Sequence, residues 1–207
     1  MLNTIGVVNR GFYYVAEKQI KLKTDQLKTV VYNHQSKLQT GMTKPWLDAI
    51  ATPYKETSVE VVNEDCLLCY QRLIKKSEKM NEDKLCPVVL NMANADSPGG
   101  GYRKGDGAQE ENMFRRSNYS RSLDMDLDFG KPTPRFYCNS QCKEVPISQN
   151  QKMYSMDEFG AIYTSGLNLF RDPENEGYAF MSEPMYDVCA IAMAADPRAK
   201  YCLSSQT

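Results

Sequence analysis

Histidine is almost missing from this sequence: His34 is the only one among 207 residues. Ser-His-Asp and Cys-His catalysts need an imidazole held by a partner of fixed geometry, so one histidine in a polar stretch argues against both. It also leaves zinc short of nitrogen ligands. An excess of one charge is lacking too. The 25 Lys and Arg residues balance 26 Asp and Glu, for a net charge of −1, far from the basic field that duplex DNA requires. Direct DNA binding is therefore not expected. No apolar run approaches the roughly 20 residues that cross a bilayer. The N-terminus, MLNTIGVVNRGFYYV, has no basic segment followed by a long apolar one. Neither a membrane span nor a cleaved secretory signal is expected.

Seven cysteines, an odd count at long spacings, speak against a full disulfide framework and for a reducing compartment, cytoplasm or nucleus. Cys66 with Cys69 and Cys138 with Cys142 could be joined as four thiolates around zinc. The plainer reading is that Cys66, Leu67, Leu68 and Cys69 form an apolar helix face, where free cysteine acts as a small hydrophobe. No metal is expected.

What is present is enough apolar residue, 42%, to build a core. Residues 1–57 read as an N-terminal extension packing on the domain that follows, residues 58–207. GFYYVAEKQIKLKT suggests a short hairpin, and the stretch to Lys55 carries the sole tryptophan, Trp46. From there an α/β rhythm begins. SVEVVN alternates like a strand. Asp65 to Lys79 has helical spacing, and CPVVLNM is a short apolar run expected as a strand buried on both faces. A Gly-rich loop leads into a helix from Ala108 to about Leu123. Residues 124–158, rich in Asp, Pro, Ser, Asn and Gln, are expected as a long surface excursion. GAIYTSGLNLF predicts a strand and turn, and DVCAIAMAA a final buried strand. The order predicts an α/β fold with helices on both faces of a parallel or mixed sheet.

The segment that carries chemistry is NMANADSPGGGYRKGDGAQEENMFRRS, residues 91–117. It begins at the end of a strand, where ligands of open α/β sheets sit. Gly99, Gly100 and Gly101 remove every side chain, so their N–H groups can approach and surround an anion. The helix start that follows adds anion affinity, and a phosphate-bearing ligand is the expectation. The plainer alternative is a surface loop before a helix with a solvated acidic first turn. The loop is neither a Walker loop, since no Gly-Lys-Ser/Thr follows, nor a dinucleotide fingerprint. Arg115 and Arg116 are expected to solvate one helix face or to pair with substrate phosphates.

Three glycines, seven residues, then Gln109-Glu110-Glu111 resembles the signature of poly(ADP-ribose) glycohydrolases, and the wider segment resembles their microbial-type branch. GFYYVAEKQIKL is similar to that family's N-terminal Gly-x-Tyr segment, and YDVCAIAMAADPR to its later buried strand. GAIYTSGLNLFRD resembles its Tyr-Ser-Pro turn, with Thr164-Ser165-Gly166 replacing the usual pair. The resemblance implies a macrodomain-like three-layer α/β/α sandwich with a mixed sheet. By resemblance Glu111 is the catalytic acid/base and Glu110 orients the ribose beside the scissile bond. Asn94 contacts the same ribose, Gln109 belongs to the substrate-binding signature, and Gly99–Gly101 lie along the pyrophosphate and distal ribose. The implied reaction is hydrolysis of the ribose–ribose O-glycosidic bonds of poly(ADP-ribose), releasing ADP-ribose without metal or cofactor. Its partners are poly(ADP-ribose) or an ADP-ribosylated protein, and its setting the DNA damage response.

In that family a second Gly-rich phosphate loop and an adenine-stacking aromatic follow the DVCAIAMAA-type strand. Here AADPRAKYCLSSQT ends the sequence, and the C-terminal part of the fold is expected to be missing. A non-catalytic ADP-ribose-binding macrodomain, a mono-ADP-ribosyl hydrolase and a scaffold with a decayed site stay open as alternatives.

Overall fold

The computed structural model describes residues 2–33, 36, 58–80, 86–148, 151–158 and 160–195. The expectations for His34, for the stretch around Trp46 and for the C-terminal end from 196 onward lie outside the described residues. Helix α1 (Leu2–Arg10) leads into the hairpin β1 (Phe12–Val15) and β2 (Lys18–Lys21), a two-stranded antiparallel sheet as the aromatic and β-branched run predicts. The main sheet contains β3 (Lys28–Tyr32), β4 (Val88–Ala93), β5 (Arg135–Cys138), β6 (Glu144–Pro146), β7 (Ala161–Arg171) and β8 (Phe180–Ala194). Its order is β4-β8-β7-β3-β5-β6. The β4/β8 and β3/β5 pairs are parallel, whereas β3/β7, β7/β8 and β5/β6 are antiparallel. Helices α2 (Cys66–Met80), α3 (Gln109–Arg116) and α4 (Tyr119–Leu123) complete the framework.

The structure corrects five expectations. First, β3 comes from the stretch read as an extension, yet it lies inside the sheet between β7 and β5, with Thr29, Val30 and Val31 buried. Second, SVEVVN forms no strand. Val59, Val61 and Val62 are exposed, because alternation gives a strand only where a sheet edge is there to receive it. Third, β4 is an edge strand buried on one face only. Val89, Asn91 and Ala93 point inward, while Val88, Leu90 and Met92 keep 48%, 54% and 66% of their surface exposed.

Fourth, the expected helix from 108 to 123 is two helices. Ser117 returns its hydroxyl to Met113 O (2.6 Å), and Asn118 leaves helical geometry to exchange main-chain and side-chain bonds with Asn168 on β7. Ser and Asn side chains compete with helix bonds in this way. Fifth, residues 124–158 are no mere surface excursion. They supply β5 and β6, and Phe129, Cys138 and Met153 are buried. The local run RFYC outweighs the polar composition around it.

The main core joins β4, β7 and β8 to α3 and α4 through Phe114, Tyr119, Ile162, Leu167 and Ala190. A second cluster, with Tyr13 stacked on Phe180 at 4.8 Å, seals the hairpin and α1. Among the described residues no helix is long and apolar enough to cross a membrane.

Candidate active site

The site forms where β4 ends and α3 begins. Asn94 closes the strand with an Asx turn, its Oδ1 accepting from the Asp96 and Ser97 amides (both 2.9 Å). Gly99 and Gly100 then adopt φ of +76° and +52°, a region that side chains avoid. A Cβ at Gly99 would overlap the Tyr102 and Phe114 rings, and one at Gly100 would lie 2.5 Å from Glu111 Oε1 and 3.3 Å from Glu110 Oε2. The loop turns on itself, and Gly101 O accepts from Lys104 (2.8 Å) and Gly105 (3.1 Å). Tyr102, buried beneath, donates to Asp124 Oδ2 at 2.5 Å, and Arg103 pairs with the same carboxylate. Burial and that acceptor push the Tyr102 hydroxyl up to about 12.

The two glutamates are adjacent in sequence but differently employed. Glu110, 3% exposed, accepts from Asn94 N (2.8 Å), Gly99 N (3.1 Å) and Asn91 Nδ2 (3.2 Å). Burial raises its carboxyl above the usual carboxylate range despite those three donors, and the neighbouring Glu111 adds to the rise. Glu111, 6% exposed, accepts at Oε1 from Gly101 N (2.8 Å), while Oε2 is buried and has no hydrogen-bond partner among the described residues. The acid/base candidate therefore faces the glycine turn with one oxygen anchored and one uncommitted.

The glycine amides do something other than the expected anion cradle. Gly99 N–H serves Glu110, Gly100 N–H serves Ser97 O (3.0 Å) and Gly101 N–H serves Glu111. The bare backbone lets carboxylates pack against it, because the first turn of α3 delivers them there. Gln109 is likewise occupied. Its Oε1 accepts from Met92 N (2.9 Å) and its Nε2 donates to Leu90 O (2.6 Å). It thereby satisfies the outward backbone groups of the edge strand.

Arg116 departs from its expectation of a solvated or phosphate-pairing role. It is 1% exposed and binds Asp65 Oδ1 at 2.8 Å and Arg171 O at 3.3 Å. Asp65 also caps α2 through the Leu67 and Leu68 amides, so one ion pair ties α3 to α2. Arg115 donates to Asp106 O within the loop region. Sequence reasoning missed Asn91, Tyr119 and Tyr154. Asn91 had a signal, being the one amide among inward positions of an apolar strand. Tyr119 and Tyr154 had none, since only the fold brings them within electrostatic reach of Glu110. The cysteines described are free thiols, and among the described residues no group of three or more His, Cys, Asp or Glu side chains could hold a metal.

A mixed α/β sheet whose edge strand ends in a glycine turn, with two buried neighbouring carboxylates set against it, is a macrodomain-like fold with a glutamate pair. The chain belongs to the family of microbial-type poly(ADP-ribose) glycohydrolase (PARG) catalytic domains, whose family model matches residues 2–172. A crystal structure of the Thermomonospora curvata poly(ADP-ribose) glycohydrolase bound to the inhibitor ADP-HPD is similar over 94% of this chain and 60% of that one. The identity is 22% and the TM-score 0.57. Another structure of the enzyme from that organism gives 21% identity and a TM-score of 0.57, over 94% of this chain and 62% of that one. The Deinococcus radiodurans poly(ADP-ribose) glycohydrolase in complex with ADP-ribose gives 24% identity and a TM-score of 0.44, over 68% and 46%. This chain thus spans about 60% of the length of the Thermomonospora structures. No curated protein matches it.

Proposed function

We propose that this chain carries the glutamate machinery of a poly(ADP-ribose) glycohydrolase and hydrolyses the ribose–ribose O-glycosidic bond of poly(ADP-ribose), releasing ADP-ribose. The observation that supports it most is Glu111: a nearly buried carboxyl group, fixed by the Gly101 amide at 2.8 Å, whose second oxygen has no hydrogen-bond partner among the described residues. Glycosidic bonds break through an oxocarbenium-like transition state that needs a proton on the leaving oxygen and a deprotonated water at the anomeric carbon. One carboxyl can do both in turn. Glu111 protonates the departing ribose oxygen as the C–O bond breaks. The resulting carboxylate then takes a proton from the attacking water, which leaves a hydroxyl on each ribose.

Glu110 works beside it by fixing the Asn94 and Gly99 amides where the ribose meets the loop, and orienting that ribose is part of the same proposal. Asn94 and the Gly99–Gly101 backbone line the ribose and pyrophosphate side, and Gln109 keeps α3 registered on β4. The ligand is poly(ADP-ribose) or an ADP-ribosylated protein, with ADP-ribose as product, and the free cysteines support an intracellular setting in cytoplasm or nucleus. DNA damage signalling is the expected context.

Incubation of the chain with poly(ADP-ribose) tests this. ADP-ribose release is expected, and Glu111→Gln should lower it by about 100-fold or more, in the range of a lost acid/base group, while calorimetry still detects ADP-ribose binding. Binding without release by the unsubstituted chain would instead assign a non-catalytic macrodomain. Release from mono-modified protein alone would assign a mono-ADP-ribosyl hydrolase. Retained turnover in Glu111→Gln would remove that residue from the role.

A further inference from the structure

Asp124 is a buried acidic residue that the proposed reaction does not use. It is 2% exposed and follows the last turn of α4, where its N–H donates to Ser120 O at 2.9 Å. Each side-chain oxygen has a task. Oδ1 accepts from the Asp126 amide (3.1 Å), and Oδ2 accepts from the Tyr102 hydroxyl (2.5 Å) and from Arg103. Arg103 also donates Nε–H to the Tyr102 oxygen at 3.1 Å. Apolar side chains of similar volume often serve stability as well as a buried charged pair does. Stability alone therefore does not account for this trio.

The trio sits one residue from the contact that holds Glu111. Gly101 N–H donates to Glu111 Oε1 at 2.8 Å, and Tyr102 comes next in the chain. Tyr102 N–H donates to Gly99 O at 3.0 Å and closes the turn around Gly100 and Gly101. Its ring packs on Phe114 of α3 at 4.8 Å and lies so close to Gly99 that a Cβ there would come within 2.5 Å of Cδ1. The turn cannot slide without carrying this ring, and Asp124 pins the ring at its far end. Glu111 is thereby referred to two helices. Its Cα belongs to α3, while Oε1 is tied to the end of α4 through Gly101, Tyr102 and Asp124. The far side of the loop is tied back to α3, by Asn112 Nδ2 on Gly107 O at 3.2 Å and by Arg115 on Asp106 O.

We propose that Tyr102 and Asp124 are positioning residues for Glu111: they pin the exit of the glycine turn to α4 and so place the Gly101 amide that orients the Glu111 carboxyl, leaving Oε2 for proton transfer. Arg103 balances the Asp124 charge and fixes the direction of the Tyr102 hydroxyl, which accepts from one and donates to the other. A carboxyl held by one amide turns when that amide moves, and misplacement by an ångström is enough to cost turnover. The consequence for catalysis rests on the glycohydrolase reading; the placement of the Gly101 amide does not.

The test is amide hydrogen exchange of the full chain followed by NMR and read at Gly101. Tyr102→Phe keeps the ring and removes the hydroxyl. It should speed exchange at Gly101 by about 10-fold or more, the scale of one lost hydrogen bond, while the amides of the inner strands β3 and β8 keep their protection. Asp124→Asn retains an acceptor for the tyrosine but no charge for Arg103, and should give a smaller rise. Glu111→Gln should move the Gly101 amide resonance in the unsubstituted chain and move it much less in the Tyr102→Phe background. Unchanged exchange at Gly101 in folded Tyr102→Phe overturns the proposal. A rise shared equally by β3 and β8 overturns it too, since the hydroxyl would then serve stability only. If Tyr102→Phe does not fold, Asp124→Asn decides by the same criterion. With poly(ADP-ribose) as substrate, Tyr102→Phe should lower kcat about 10-fold at little change in KM, and Asp124→Asn should lose less than Asp124→Ala. A raised KM at unchanged kcat contradicts the positioning of Glu111. If the unsubstituted chain releases no ADP-ribose, the glycohydrolase reading fails while the exchange at Gly101 still decides the role of Tyr102 and Asp124.

Discussion

At Gly166 the β7 backbone, with φ of +75°, passes so close to the Gln26 carbonyl and the Leu27 amide that an added methyl would overlap both. At Gly100 the loop, with φ of +52°, passes close to the Glu111 carboxylate and, less tightly, to that of Glu110. The two glycines share a backbone region and a crowded Cβ position, yet the neighbours differ in kind. Around Gly166 they are main-chain atoms leading into β3, fixed by the sheet. Around Gly100 they are the far ends of side chains, which can give way without a backbone shift at the expense of their hydrogen bonds. The first close approach builds the scaffold, and the second builds the site at little expense to the scaffold.

Substitution at each position separates the two. Gly166→Ala should be the most damaging to stability. It adds the penalty for a left-handed alanine, about 1–2 kcal/mol, to an overlap that only a backbone shift can relieve, typically about 1–3 kcal/mol more. For a domain of this size about 3 kcal/mol lowers the thermal midpoint by roughly 6–12 °C. Thermal melts followed by circular dichroism measure it, and a shift under about 2 °C would mean that β7 and the Gln26 turn can part without loss.

Gly100→Ala should invert the pattern. The strained conformation costs about 1–2 kcal/mol, but Glu111 can swing aside, so the melt moves only modestly. The carboxylate then no longer meets the Gly101 amide, and ADP-ribose release should fall about 10-fold or more, as misplacement by an ångström does elsewhere. Equal loss of stability at positions 100 and 166, with activity surviving at 100, would erase the distinction between scaffold and site glycines.

That distinction was only half legible in the sequence. Gly99–Gly101 followed by Gln109-Glu110-Glu111 pointed to the site because chemistry and backbone freedom fall in one contiguous stretch. What the glycines do there was not legible. The sequence suggested amides free for an anion, whereas the fold uses them to hold Glu110 and Glu111. β3 escaped notice because KTVVY is a five-residue strand within polar sequence, and its place depends on β7 and β5, which lie more than 100 residues away. SVEVVN misled in the opposite sense, since alternation is local and sheet partners are not. The segment of Tyr154 was hidden for the same reason as β3: the fold ties it to the strand end through Met156 N–H and Ala95 O.

The smallest effect sharpens the comparison within the glutamate pair, where Glu110 accepts from three donors and Glu111 from one. Burial keeps the Glu110 carboxyl above its usual range in the folded chain, against the Asn94, Asn91 and Gly99 donors, with Glu111 adding to the rise. Between the ordinary glutamate value and that raised value, the folded chain binds more protons at this position than the unfolded chain does. Stability must then fall as pH climbs through the window, because the slope follows the protons bound in the unfolded state minus those bound in the folded one. Glu110→Gln removes the titration. Its amide also turns donors toward the Gly99 and Asn91 donors, so the variant should be less stable at every pH; the discriminating quantity is the slope, not the level. Urea melts from about pH 4 to 7 should show the unsubstituted chain losing stability relative to Glu110→Gln, by at most about 1.4 kcal/mol for each unit by which the carboxyl is raised. Parallel curves would mean that Glu110 folds and unfolds with the same proton affinity, and that its three donors fully offset its burial.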